Sequence, residues 1–289
     1  MEGKQKIGLV CDEGGDLPKE LIEKNQITII PFKIDLGEMK NIYQKIREAE
    51  RQRIKSFVKT SQPSPGDFLF AFKEKLKRFE KVICITITSK HSGTYNSAIQ
   101  AKNFLEANSK NRIEIFDSLS GSAGEGLLIL KAASLIKKGL KIKEILRDLK
   151  ESISKTHLIF MLEDPKWLEA SGRLPSLVVA WLRGMQKIGV RPLLGVKKGE
   201  IKPIGIKKGV KDIATALFKE FETKLSKLKS NGIIKVAITH ADNLKEAIEL
   251  KEMVQNLKNT EISFINLIGN ILGGLTGPGA LALTWQESC

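Results

Sequence analysis

The sequence predicts a two-domain α/β protein, and three observations lead to this prediction. Apolar runs alternate with helical patterns up to about residue 154, which is typical of a three-layer, mostly parallel sheet. Beyond residue 155 a hairpin is mixed with helices, which indicates an α+β domain with a mixed or antiparallel sheet. The length of 289 residues suffices for two hydrophobic cores. We therefore expect an α/β domain over 1–155 and an α+β domain over 156–289.

The first half contains four apolar runs that are typical of buried strands. They span 7–12, 27–34, 82–87 and 112–117, and helical patterns cover 41–58, 65–79, 95–107 and 127–136. Pro31 indicates an edge strand or a break, because proline cannot donate to a sheet ladder. Ser64, Pro65 and Asp67 predict a well-defined helix start, with an N-cap, a first-turn proline and a capping box.

The second half predicts strands at 157–162, 233–239 and 263–268, and a hairpin formed by 189–196 and 200–204. Amphipathic helices are expected at 213–228 and 244–257. Composition marks no flexible linker between the halves.

Charge and composition limit the partners of the protein. The 48 basic and 33 acidic side chains give a net charge of +15, but lysines are spread along helix faces with few aromatic residues among them. Because single-stranded nucleic acid is held by basic grooves with aromatic stacking, we expect no nucleic-acid binding. An acidic protein partner is compatible with the charge. The amino terminus has no secretory signal pattern and no membrane span is visible, so we expect a cytoplasmic protein without integral membrane association.

Residues for metal binding and acid–base catalysis are scarce. Three scattered cysteines lack metal-ligand spacing, and no His/Cys cluster is present. Of the three histidines, His157 opens an apolar strand and favours a structural role, whereas His240 ends a strand and is the better site candidate. A pairing of Ser92 with a distant histidine stays open, because catalytic triads assemble from separate segments. The alternative function is therefore a serine-dependent hydrolase or acyltransferase using Ser92.

Hydroxyl-rich segments suggest an anion-binding site. Residues 88–97 follow a buried strand and precede a helix, where ligands bind in α/β sheets and where helix N–H groups attract carboxylates or phosphates. The same hydroxyls can also simply cap the helix. Thr60 and Ser61 either contact a ligand or hold their loop. Arg173 follows a glycine in an apolar context and is either an anion-binding cation or a surface turn residue.

Six segments together resemble one family. The chain carries Asp12 with Gly15-Asp16-Leu17-Pro18, Thr60-Ser61-Gln62-Pro63-Ser64-Pro65, Ser92-Gly93-Thr94-Tyr95-Asn96-Ser97-Ala98, Asp117-Ser118, Ser171-Gly172-Arg173-Leu174 and Gly277-Pro278-Gly279-Ala280. Their order and spacing are similar to those of the DegV family, the bacterial fatty-acid-binding proteins that include the lipid-carrying subunit of fatty acid kinase. The resemblance implies two α/β domains with a lipid slot between or beside them.

The resemblance also implies which residues receive the fatty-acid carboxylate. The family positions fall on Thr60, Ser92, Arg173 and Leu275, and we include their neighbours Ser61, Gly93, Thr94 and Thr276. Leu275 departs from the family pattern, which has histidine there. Glu13 stands where serine is usual, and 203–209 offers Lys207 and Lys208 but no arginine.

The implied function is that of a non-enzymatic carrier without cofactor or metal. A buried tail of about 14 methylenes contributes on the order of 11 kcal/mol before binding costs, so apolar burial supplies the affinity. The headgroup contacts set position, since an enclosed carboxylate needs a cation or hydrogen bonds. We expect a bound long-chain fatty acid, with its carboxylate presented to an ATP-dependent fatty acid kinase subunit for phosphorylation.

Overall fold

A computed structural model describes residues 6–52, 60–170, 172, 176–188, 190–209, 212–228 and 232–287. The chain forms two units. Unit 1 comprises Met1–Lys33, Ser61–Thr156 and Lys198–Glu200, and unit 2 comprises Ile34–Thr60, His157–Lys197 and Ile201–Cys289.

The strands and helices are numbered in chain order. The strands are β1 (Ile7–Asp12), β2 (Thr28–Ile30), β3 (Lys33–Ile34), β4 (Thr60–Ser61), β5 (Lys81–Thr86), β6 (Ile113–Asp117), β7 (Thr156–Met161), β8 (Val190–Lys197), β9 (Glu200–Lys208), β10 (Ile234–His240), β11 (Thr260–Leu267) and β12 (Leu281–Gln286). The helices are α1 (Lys19–Lys24), α2 (Ile42–Arg51), α3 (Pro65–Leu76), α4 (Thr94–Asn103), α5 (Ala107–Lys110), α6 (Ala123–Lys137), α7 (Ile142–Ser154), α8 (Lys166–Ala170), α9 (Ser176–Lys187), α10 (Ile213–Leu225), α11 (Leu244–Gln255) and α12 (Asn270–Thr276). A 3₁₀ turn, Glu13–Gly15, follows β1.

Unit 1 is built on a four-stranded sheet with the order β2-β1-β5-β6. All three strand pairs are parallel, as predicted. Each parallel connection returns through helices, which bury the apolar strands and leave the loops at their carboxyl ends free for other contacts. The expected break at Pro31 separates β2 from β3. The predicted capping box is present at the start of α3, where Ser64 and Asp67 bond each other's backbone N–H groups.

Unit 2 is built on a six-stranded sheet with the order β11-β10-β12-β7-β8-β9. The β10–β11 pair is parallel, whereas β10–β12 and β7–β8 are antiparallel, so the sheet is mixed, as predicted. One face packs against α10 and α11. The other face packs against residues of α2, α8 and α9.

A single division near residue 155 misplaces two segments of the chain, the short Lys198–Glu200 and the longer Ile34–Thr60. Ile34–Thr60 belongs to unit 2, although it precedes most of unit 1 in sequence. The reason is apolar burial: Ile42, Tyr43 and Ile46 lie in the core of unit 2. The Tyr43 hydroxyl also donates to Ile268 O at 2.8 Å. An amphipathic helix shows in the sequence that one side is buried, but not which sheet buries it.

Strand β12 and helix α2 are two of the elements that differ from the sequence predictions. Strand β12 is absent from those predictions, yet it lies in the interior of the six-stranded sheet between β10 and β7. The predicted helix over 41–58 is observed as Ile42–Arg51, and 53–59 lie outside the described residues. Within the part of the chain that the structure describes, no helix combines the length and apolar character needed to cross a membrane.

Candidate functional site

Two aspartates at strand ends fasten the loop that follows β5. Asp12, at the end of β1, accepts from Ile87 N at 2.8 Å. Asp117, at the end of β6, accepts from Ser89 N at 3.2 Å. Because β1 and β6 flank β5, the loop is tied to both neighbouring strands. Both carboxylates accept hydrogen bonds from backbone N–H groups, so their role is to hold the loop in place and not to bind a ligand.

Thr88 is fully engaged inside this loop. Its backbone N–H donates to Ser120 O at 2.8 Å, and its hydroxyl donates to Gly199 O at 3.0 Å. Gly199 has φ +85 and lies so close that an added Cβ would overlap the Thr88 hydroxyl. This hydroxyl therefore holds the loop, which leaves Ser92 and Thr94 as the next candidates for a ligand.

Ser92, Gly93 and Thr94 form the entry to α4. The hydroxyls of Ser92 and Thr94 lie 2.7 Å apart, and Thr94 N donates to Ser92 Oγ at 3.3 Å. Gly93 is the N-cap of the helix and has no side chain with which to cap it. Thr94 is buried and Ser92 is half-buried. A hydroxyl pair beside the first-turn N–H groups of a ten-residue helix suits a carboxylate oxygen.

The two family-like motifs of unit 1 contact each other through Gln62. Its amide nitrogen donates to Ser97 Oγ at 3.0 Å. An added Cβ at Gly93 would overlap the Gln62 amide, so the glycine lets this amide lie close to the start of α4. Ser61, the residue before Gln62, is exposed. The hydrogen bond from Gln62 to Ser97 thus joins the two motifs.

The remaining expected residues lie in unit 2 or outside the described chain. Thr60 is half-buried at the start of β4 and belongs to unit 2. Thr276 ends α12, and its hydroxyl donates back to Leu272 O at 2.9 Å. Leu275, one residue earlier, is half-buried. Arg173 lies outside the described residues. Each unit thus contributes part of the expected set, and the set as a whole stays a prediction.

Two departures from the family pattern have structural roles of their own. Glu13 accepts from Phe32 N at 3.0 Å and so holds the segment between β2 and β3. Lys207 donates to Glu220 of α10 at 2.8 Å. Both side chains therefore hold neighbouring elements of their own unit.

The histidine candidates have partners of their own. His240 is nearly buried, and its Nδ1 accepts from Asn243 N at 3.2 Å. Burial lowers its pKa, which favours the neutral ring. His157 stacks on Trp285 and contacts Glu287 at 3.0 Å, in keeping with the expected structural role. No group of three metal-ligating side chains occurs among the described residues.

A buried carboxyl pair is not evident from the sequence. Glu125 in the first turn of α6 is fully buried beside Asp12. Burial raises the pKa of Asp12 to about 7, against backbone hydrogen bonds that lower it. Burial and then the Asp12 charge raise the pKa of Glu125 well above its ordinary value. The one signal in the sequence is a lone glutamate in an otherwise small and apolar stretch, 121–130.

Unit 2 contains a small cavity of about 260 Å³ between the ends of β7, β8 and helix α9. Leu162, Leu182 and Leu194 supply apolar lining and belong to the cluster on one face of the sheet. At the same cavity Arg191 donates to Glu163 at 3.1 Å. The cavity therefore joins an apolar interior to a charged pair.

Comparison with known proteins assigns the family. Residues 6–288 match the model described as uncharacterised protein, DegV family. A DegV domain-containing protein of Clostridium perfringens is 30% identical, over 98% of this chain and 99% of that protein. A structure described as fatty acid binding of a DegV family protein from Thermus thermophilus has 25% identity and a TM-score of 0.85, covering 98% and 100% of the two chains. DegV from Bacillus subtilis, described as a fatty acid binding protein, has 26% identity and a TM-score of 0.81, with the same coverage. The chain belongs to the DegV family.

Proposed function

We propose that this protein is a cytoplasmic carrier that binds a long-chain fatty acid, with the acyl tail in unit 2. The observation that carries the proposal is a strip of small side chains in the interior of the unit 2 sheet. We define the small-residue strip as Ala237, Thr239, Ala282 and Thr284. Register pairs Ala237 with Thr284 and Thr239 with Ala282, so the strip is two strands wide.

The opposite side of the same two strands has large side chains. There Val236 pairs with Trp285 and Ile238 pairs with Leu283. Side chains alternate between sheet faces, so the contrast is a property of the faces. Large residues fill one face of these two strands. Small residues on the other face leave room for an apolar ligand between the sheet and the helices that cover it.

Access to the strip is proposed to run through the cavity beside α9. At about 260 Å³ this cavity falls below the usual range of ligand pockets, about 300–1,000 Å³. A long acyl chain therefore requires the cover formed by α8 and α9 to move away from the sheet. Helix α8 is short, with 5 residues, whereas α9 has 12. The fatty-acid descriptions of the Thermus thermophilus and Bacillus subtilis relatives support this ligand class.

For the carboxylate we propose the hydroxyl pair Ser92 and Thr94 with the neighbouring Gly93. Further proposed contacts follow the family resemblance: Thr60, Ser61, Arg173, Leu275 and Thr276. Burying the tail supplies most of the affinity, and hydrogen bonds to the charged headgroup add about 1.5–3 kcal/mol each. We further propose that the carrier presents this carboxylate to an ATP-dependent kinase partner. No catalytic residue of the carrier is required for that role.

The test is native mass spectrometry of the purified protein, followed by lipid extraction. We expect a copurified long-chain fatty acid, and a preparation that neither contains nor accepts such an acid contradicts the proposal. Ala282→Leu should fill the strip and reduce fatty-acid retention. Ala247→Leu, on helix α11 in the core of the opposite face, is the matched control, because both variants place a leucine where a buried alanine stood. Equal retention in the two variants would exclude the strip as the tail site.

The headgroup and the alternative function are tested separately. Replacing Arg173 with alanine should weaken binding of the acid far more than binding of the matching alcohol. Equal losses would remove Arg173 from the headgroup site. Covalent labelling of Ser92 by a fluorophosphonate would favour a serine hydrolase over a carrier. We expect no labelling, because the hydrogen-bond partner of the Ser92 hydroxyl is the Thr94 hydroxyl and not a histidine that could activate it.

A further inference from the structure

Glu125 is a fully buried carboxyl without a hydrogen-bond donor. It lies in the first turn of α6, and no N–H or O–H group of the described residues donates to either of its oxygens. An ionised carboxylate in this position would cost several kcal/mol without compensation. The side chain must therefore be neutral or share a proton.

The neighbour that shares the proton is Asp12. A Cβ added to Gly14 would lie 2.7 Å from Asp12 Oδ1 and 3.0 Å from Glu125 Oε2, so both carboxyls lie against the same glycine. After burial, the charge of Asp12 is the largest influence that raises the pKa of Glu125, which agrees with the two side chains lying close together. Asp12 already accepts from Gly14 N at 2.7 Å and Ile87 N at 2.8 Å. With no other donor available, the hydrogen of the pair is a carboxyl proton supplied by Glu125.

The surroundings leave no other way to balance the charge. The groups that act on the pair from the packed elements are acids and thiols: Glu13, Asp16, Asp117, Cys11 and Cys84. Lys75 lowers the pKa of Cys11, and no cation is among the largest influences on the pKa of Glu125 or Asp12. No three-residue metal-ligating group is found in the described ranges. A proton shared between the two carboxyls would remove the repulsion between two negative charges.

We propose that Glu125 is a protonated carboxylic acid that donates to Asp12 and thereby positions the loop carrying Ser92. Asp12 accepts from Ile87 N, and Ile87 begins that loop. When Glu125 ionises, repulsion between the two carboxylates weakens the Asp12–Ile87 bond and loosens the loop. Glu125 is thus a positioning residue; its effect on ligand binding rests on the proposed function, whereas the shared proton does not.

The sign of the pH effect follows from the raised pKa values of both acids. The folded protein keeps protons that the unfolded chain releases near the ordinary carboxyl values. The folded state is therefore favoured at low pH, and the contribution declines as pH rises from about 4 through 7 and beyond. Each proton retained only in the folded state changes the folding equilibrium about tenfold per pH unit.

The test uses Glu125→Gln, which keeps a donor but cannot ionise, with Glu151→Gln on the exposed face of α7 as control. Denaturant unfolding is measured from pH 5 to 9. We expect the wild type and the control to lose stability relative to Glu125→Gln as pH rises, by about tenfold in the folding equilibrium per pH unit. Parallel pH profiles for all three proteins would overturn the shared proton.

Two measurements on the wild type need no variant. Infrared spectra of protein with isotope-labelled glutamate should show a neutral carboxylic acid at pH 7, and its absence would contradict the proposal. Hydrogen exchange of peptides covering 87–94, corrected for the intrinsic pH dependence, should accelerate at high pH. Unchanged protection there would overturn the positioning role. If every variant binds no fatty acid while these results hold, the proposed function fails and the proton pair stands.

Discussion

The two faces of the six-stranded sheet in unit 2 differ in how they are filled. One face packs Val236, Ile238, Leu281, Leu283 and Trp285 beneath the helices α10 and α11. The other face has the small-residue strip, and its cover includes residues of the short helices α2 and α8. Leucine and tryptophan bury far more apolar area than alanine, so β10 and β12 contribute more stability through their side chains on the first face. The second face has depth to accept a ligand.

One sheet can thus separate stability from binding. Strands β10 and β12 each alternate between large and small residues, so the same backbone serves both faces. Close packing makes the large face intolerant of change. The small face relies on short cover elements, which expose less apolar surface when they move away from the sheet. Changes on the two faces should therefore have different consequences.

The largest effect is expected for Leu283→Ala on the large face. Leu283 is fully buried, so the substitution should lower the free energy of unfolding by about 2–5 kcal/mol through lost burial and a residual cavity. Denaturant unfolding measures the change, and Leu244→Ala at an exposed position is the control. Fatty-acid affinity of the folded fraction should be unchanged. A comparable loss of affinity would mean that the two faces are not separate.

An intermediate effect is expected for Gly277→Ala beside the small face. Gly277 has φ +71 and ψ 169, a conformation almost restricted to glycine, and an added Cβ would overlap the Trp167 ring. The strain should cost about 1–3 kcal/mol in thermal or denaturant unfolding. Gly205→Ala is the matched control, since its nearest neighbour to an added Cβ is Leu193 at 3.9 Å. Equal stability of the two variants would show that this part of the cover is loosely packed.

The smallest effect is expected for Lys207→Met, which removes an ion pair to α10. Burial raises the pKa of Glu220, but Lys207 and Lys224 lower it further, so the net pKa is below the ordinary value. The pair thus stabilises above the ordinary glutamate pKa, and this contribution is lost as pH falls. We expect a loss of at most about 1 kcal/mol at pH 7, which fades on acidification. A larger loss in the free energy of unfolding than for Leu283→Ala would contradict the view that apolar packing stabilises this face. The control is Lys208→Met.

Local chemistry made much of the fold predictable from the sequence. Ser64, Pro65 and Asp67 predicted the start of α3, and Pro31 predicted the break between β2 and β3. Buried strands such as β5 were visible as apolar runs. These features depend on neighbours in the chain, so their physical causes can be seen in a few consecutive residues. Strand β12 escaped prediction, although it lies in the interior of its sheet.

The candidate site was predicted in part. The sequence predicted the loop around Ser92 and Thr94, and the structure adds that Asp12 and Asp117 fasten it. The sequence does not predict a buried role for Glu125, because a glutamate after glycine in a stretch of small residues also suits an exposed first helical turn. Its significance depends on Asp12, 113 positions earlier in the chain.

The sequence by itself determined the fold class, the family and the hydroxyl-rich loop, because each depends on periodicity or on motifs of adjacent residues. Only the tertiary structure decided that α2 packs into unit 2, that small residues of β10 and β12 pair across the sheet, and that Glu125 and Asp12 lie against the same glycine. These facts depend on which distant segments exclude water together. Burial then gives ordinary residue types, an alanine or a glutamate, properties that they do not have in the isolated chain.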